Sequence, residues 1–250
     1  MKPTLVRSTL ALYTFLLALT VPGLAEDKKA ATPPEKPREA PVVPPHKGKS
    51  ETIELFNGKN LDGWEGHADI WSVKDGVIVG KNVNEVKVST YLLTKRKFTD
   101  FRLTATVKLE KSEMHSGIAH WGRNAPERGD KYTYAGHLVM FPSEWGLHDL
   151  FGRNNLKVDG APTKAVGKQH DWNQLEILAQ GNRLRVVVNG HLVVDWRDPE
   201  PERILEGPIG LQLHSNKVQQ EVHFKDLSLT TFPEEKLITL KAESKPTEKK

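Results

Sequence analysis

The 250-residue sequence contains no cysteine. No disulfide frame can hold the fold, no thiolate can ligate a metal, and no lipid can be attached through a cysteine. A dominant charge sign is missing too. Lys and Arg number 36 against 32 Asp and Glu, a net of +4. That excess sits at the ends: residues 1–25 carry two basic residues and no acid, 26–50 six and four, and 233–250 five and four. Residues 51–232 are left with 23 basic and 24 acidic residues, or −1. A nucleic-acid-binding surface needs a concentrated basic footprint, so nucleic acid is not expected as a partner. Helical periodicity is also scarce: no stretch of more than about three turns follows the 3.6-residue period.

What is present begins with an export pattern. Lys2 and Arg7 precede an apolar run from Leu10 to Val21, followed by Gly23-Leu24-Ala25 before Glu26. A short apolar core with a small-x-small exit reads as a signal peptide over 1–25, so the mature chain is expected to be exported, periplasmic or secreted, with no membrane span. Residues 26–50 are rich in Pro, Lys and Glu and read as an extended linker. The tail 233–250 is similarly charged and is expected to fray.

Between these ends, 51–232 reads as strands. From Asp171 to Leu229 the chain resembles a meander. Asn173–Ile177 turns at Gly181-Asn182, Leu184–Val188 turns at Asn189-Gly190, and His191–Trp196 leads through an acidic loop to Gly207–His214. Asn-Gly between β-branched runs favours a type I′ hairpin, because that turn needs positive φ at both central residues. Leu175, Ile177 and Ala179 share one face of their strand, and Leu184, Val186 and Val188 one face of theirs, leaving the opposite faces wet. Upstream, Ile70–Val73 and Val77–Val79 flank Lys74-Asp75-Gly76 as a second hairpin. Phe101, Leu103, Ala105, Val107 and Leu109 alternate with polar residues, and further strands fall at Gly117–Trp121 and Tyr134–Phe141. Many short strands at this spacing predict an all-β antiparallel sandwich of jelly-roll type.

Leu55–Trp64, Asp75-Gly76, Ser116-Gly117-Ile118, Trp172-Asn173, Asn189-Gly190 and Gly207–His214 occur in an order that resembles the 3-keto-disaccharide hydrolase family. These proteins are also described as 3-keto-glucoside 1,2-lyase/3-keto-2-hydroxy-glucal hydratase domains. The resemblance covers about residues 52–232 and implies a concanavalin A-like jelly roll. It departs from the family pattern in the middle. Where the family has Asn-Ser-Gly-Ile followed by an arginine, this chain has His115-Ser116-Gly117-Ile118 and Trp121. Where the next strand carries Glu and Gln on its ligand face, this chain has Leu138 and Met140.

The activity implied is cleavage of a 3-keto-glucoside by C2 proton abstraction and β-elimination, followed by hydration. It requires a base active near neutrality and donors, or a metal, for the enediolate oxygen. On Ile209–His214 the alternation puts Gln212 and His214 together, opposite Leu211 and Leu213. His214 and Gln212 are therefore candidate catalytic residues, with His115 and Asp149; His115 and His148 with Asp149 would complete an acid–base pair or a His/Asp metal site, and His148 is also a candidate to bind substrate. His120 shares the parity of Ile118 and reads as buried. Trp64 and Trp121 adjoin turns and are candidate sugar platforms, and Arg123 stands two residues beyond the missing arginine. No metal ligands are assigned: a divalent metal would suit the chemistry, but no spacing points to one, and the cofactor is unknown. Two further readings stand beside the enzyme: a non-catalytic carbohydrate-binding jelly roll, favoured by Leu138 and Met140, and a structural or protein-binding exported domain. Polar groups converging beside His214 favour the enzyme; an apolar floor with exposed tryptophan favours the carbohydrate-binding jelly roll.

Overall fold

A computed structural model describes residues 40–142, 146–153 and 158–241; the signal-peptide reading and most of the linker lie outside them. Fourteen strands are found among the described residues. The first six are β1 (Glu51–Glu54), β2 (Trp64–Glu65), β3 (Trp71–Lys74), β4 (Val77–Lys81), β5 (Thr90–Phe98) and β6 (Phe101–Lys111). Next come β7 (Ser116–Asn124), β8 (Tyr134–Phe141), β9 (Leu147–Asp149) and a six-residue helix α1 (Ala161–Val166). The chain continues as β10 (Asn173–Gln180), β11 (Arg183–Val188), β12 (His191–Arg197), β13 (Gly207–Leu213) and β14 (Glu221–Thr231).

These strands form two antiparallel sheets. One runs β12-β11-β10-β6-β14-β4-β3, with β1 also on β14; the other runs β2-β5-β13-β7-β8-β9. The β6 alternation is realised, with Phe101, Leu103, Ala105, Val107 and Leu109 all buried and the residues between them half-exposed. Leu175, Ile177, Leu184, Val186 and Val188 meet them from β10 and β11, and Ile118, Val139, Phe141, Ile209, Leu211 and Leu213 meet them from the second sheet. This is an all-β sandwich of the concanavalin A-like jelly-roll class. Asp75 and Gly76 (φ 50° and 75°) and Asn189 and Gly190 (φ 52° and 88°) turn their hairpins with positive φ at both central residues, as a type I′ turn demands.

Three expectations are corrected. The C-terminal strands are not one meander: β10–β12 stay in the first sheet, whereas β13 crosses to the second, between β5 and β7. Nor is the outer face of β10 wet, or the tail frayed up to Lys241. Glu176 is fully buried, accepting bonds from Ile238 N (3.0 Å), Thr239 N (2.8 Å) and Thr239 Oγ1 (2.6 Å), with Arg102 as its ion-pair partner. Gln180 Nε2 likewise donates to Pro233 O. At the other end, Asn182 holds Pro41 and Val43, and Asp100 receives His46 N. Buried polar groups of the sheet thus take their partners from segments that composition alone marks as loose.

Candidate functional site

The second sheet carries a separate small apolar cluster on the face turned away from the sandwich: Tyr91, Leu93, Ala119, Tyr134, Leu138 and Met140. Over it lies a cleft of about 480 Å³. Strand register builds its floor. Tyr91 pairs with Gln212, Gly117 with Met140, Ala119 with both Gly210 and Leu138, and Leu138 with His148. Side chains of directly opposed residues point to the same face, so these rows share the cleft side. Small residues in mid-sheet leave room for it: a Cβ on Gly117 would lie 2.5 Å from Leu138 Cδ1.

The alternation on β13 is as expected: Leu211 and Leu213 are buried in the core, and Gln212 and His214 line the cleft. Register of β13 against β7 sets Leu211 on Ile118, and carried onward it brings His115 to His214. Ser116 Oγ fixes that end by donating to Gln212 O at 2.6 Å. The two imidazoles meet edge to face, centroids 4.4 Å apart, and His148 lines the same cleft. Burial pushes His115 down to about 4, helped by the charges that His214 and His148 would carry. His214 is lowered as well, by burial against the opposing pull of the Ser215 carbonyl. Both rings are therefore neutral at pH 7. His214 Nδ1 lies 2.6 Å from Ser215 O; a carbonyl only accepts, so Nδ1 carries the hydrogen and Nε2 holds the lone pair. His214 O in turn receives Gln220 Nε2.

Four sequence candidates lie elsewhere. Trp121 is fully buried, its indole N–H donating to Thr99 O at 2.6 Å. A bulge between His120 and Arg123, with Trp121 at φ 54°, breaks the alternation and sends both His120 and Trp121 into the core. Trp64 is also buried, its N–H on Leu55 O at 2.7 Å. Arg123 is a solvated charge near the end of β7, paired with Glu127. Asp149 points to the opposite side of β9 from His148, as neighbours on a strand must, and cannot form a pair with it in the cleft. Arg153 clamps it at 2.8 Å and bridges to Asp198 at 2.8 Å, and Asp198 bonds buried His137 Nε2 at 2.7 Å. Burial would raise the Asp198 carboxyl, but the bonds from His137 and Arg153 hold it down at about 2. This network joins β8 and β9 to the end of β12 across the sandwich.

The sequence reading missed Tyr91, Tyr134 and Arg128, which also line the cleft. Tyr91-Leu92-Leu93 is buried on both faces, so it lacks the alternation that marks a strand. Only its register with Gln212 reveals which way Tyr91 faces. Leu138 and Met140 do lie on the floor, where the resemblance aligns them. Among the described residues no group of three or more His, Asp or Glu is arranged to hold a metal ion, and no helix is long and apolar enough to cross a membrane.

Comparison with known proteins agrees with this architecture. A structure of a candidate glycosyl hydrolase from Parabacteroides distasonis superposes with a TM-score of 0.52 at 21% identity, covering 73% of this chain and 94% of its own. A second from the same organism gives 0.51 at 19% identity, covering 72% and 98%. At these identities the likeness is one of fold. No curated protein matches the chain. The family model described as a 3-keto-alpha-glucoside-1,2-lyase-like domain matches residues 51–230, the whole of the sandwich from β1 almost to the end of β14. The chain belongs to the 3-keto-alpha-glucoside-1,2-lyase-like domain family.

Proposed function

We propose that the cleft binds a 3-keto-glucoside and cleaves it by elimination and hydration. The observation that carries this is the neutral His115–His214 pair set beside Gln212 in a domain of this family. His214 Nε2 takes the C2 proton, the C2–H electrons form C2=C3, and the C3 carbonyl oxygen takes the negative charge. As that carbonyl re-forms, C1=C2 forms and the C1–O bond breaks. The aglycone leaves with the proton returned by the imidazolium, giving 3-keto-2-hydroxy-glucal. Water then adds oxygen to C1 and hydrogen to C2. The sum is 3-keto-glucoside plus water to 3-keto-glucose plus alcohol. The export pattern of residues 1–25 supports a site of action outside the cytoplasm, with a mature chain starting near Glu26.

A second reading, a non-catalytic carbohydrate-binding domain, draws on Leu138 and Met140 in place of polar floor residues. Nitrophenyl 3-keto-glucosides, incubated with the purified domain with and without divalent metal, separate the two. Nitrophenol release supports the lyase; saturable binding with no release supports the binding domain.

A further inference from the structure

We propose that Tyr91 and Gln212 form a donor–acceptor couple that reads an α-hydroxyketone: the Tyr91 hydroxyl donates to the carbonyl oxygen, and Gln212 Oε1 accepts from the hydroxyl on the adjacent carbon. The inference rests on the reading above, and it assigns the group that holds the enolate.

Tyr91 and Gln212 are direct partners across β5 and β13, both buried at the cleft floor. Gln212 Nε2 donates to the Tyr91 hydroxyl at 3.1 Å. An amide N–H can only donate, so the phenol oxygen is the acceptor and its own proton is not used in that bond. Gln212 Oε1 is buried and makes no hydrogen bond among the described residues. Buried amide oxygens are rarely left so, and this one lines a cleft. The couple therefore offers one donor beside one acceptor.

That pattern separates a ketone from the parent alcohol. A carbonyl oxygen takes the Tyr91 proton and brings none of its own, while the neighbouring hydroxyl satisfies Gln212. A hydroxyl in the carbonyl's place would bring a second proton, and Gln212 Oε1 is already occupied. The side chains of Leu138 and Met140, on the floor beyond, offer no oxygen or nitrogen to receive it. A buried donor without an acceptor is rejected far more strongly than a lost methylene. The apolar replacements thus become part of the discrimination. Burial pushes the Tyr91 phenol well up, against smaller opposing effects of Gln212 and Arg128, so it keeps its proton and meets the charge that develops on the C3 oxygen.

Equilibrium binding of 1-deoxy-3-keto-glucose, which has no leaving group at C1, and of 1-deoxyglucose tests the couple. Wild type should bind the keto sugar about tenfold tighter or more. Tyr91→Phe, which keeps the ring and so the packing, should bring the ratio to about one by weakening the keto sugar. Gln212→Met should weaken both ligands by a similar factor and leave the ratio standing; it carries the test if Tyr91→Phe does not fold. Turnover by wild type with an unchanged ratio in Tyr91→Phe overturns the couple and spares the lyase. A preference for the keto sugar that Tyr91→Phe abolishes, without cleavage of any 3-keto-glucoside, supports the couple and sinks the lyase. Wild type binding both sugars equally, or neither, overturns the couple.

Discussion

Truncating Leu213, which is 1% exposed in the core, should cost about 2–5 kcal/mol through the cavity it leaves. His214→Ala next to it should leave stability nearly unchanged while lowering turnover about 10²–10⁴-fold, the usual share of a positioned acid–base group. Denaturant midpoints and kcat on the two variants check the pair. Titration gives a second expectation. His115 and His120 are held to about 4 and 3 in the folded state, chiefly by burial, against an ordinary 6.5. Between those limits the unfolded chain binds more protons, so stability falls as pH drops through that window. Asp198, held at about 2 against 3.8, adds a further loss as pH falls from 3.8 to 2. Urea unfolding across this range should show both, and His115→Asn should flatten the upper part. Single residues were legible in the sequence where alternation was intact, as at Gln212 and His214. They were not where it broke: one bulge at Trp121 inverts the side on which an aromatic falls, and no local signal in the sequence announces it.

At the scale of elements, β13, β7 and β8 approach closely because glycine stands at the contact. A Cβ on Gly207 would sit 1.8 Å from Gly122 O, and one on Gly122 1.9 Å from Ala135 O. Tyr134 clamps the same place, its hydroxyl accepting from Gly122 N and donating to Pro208 O at 2.7 Å. The buried network at the far edge of this sheet holds the two layers together. Asp198→Ala should leave Arg153 and His137 without their shared carboxylate and cost about 3–5 kcal/mol, measured by chemical denaturation. A loss under about 1 kcal/mol would show that water replaces the carboxylate there. Hairpins closed by Asn-Gly and Asp-Gly were readable from the chain, since the turn chemistry is local. The crossing of β13 between sheets was not, because a strand buried on both sides fits either sheet equally well by pattern.

Across the whole molecule, charge and composition mark the ends as loose, yet Pro41–Val43 and Pro233–Lys241 supply partners to buried groups of the sheet. A chain ending at Phe232 should uncover Glu176 and Gln180 and lose more than about 1.5 kcal/mol, read as a lower denaturation midpoint. Composition reports whether a segment can form a core, and these segments form none; they cap one that others built. The sandwich itself was legible because alternation recurs in many strands, and the cleft because β13 carries its polar pair on a clean period. Tyr91, the residue assigned to the carbonyl, emerged only from the pairing of two strands 121 residues apart. The central claim is that this cleft removes the C2 proton of a 3-keto-glucoside. Proton NMR of the reaction in D₂O reads it directly. The account predicts aglycone release with one deuterium placed at C2 of the 3-keto-glucose formed, both lost together in His214→Ala. Aglycone release that leaves C2 fully protonated would contradict it.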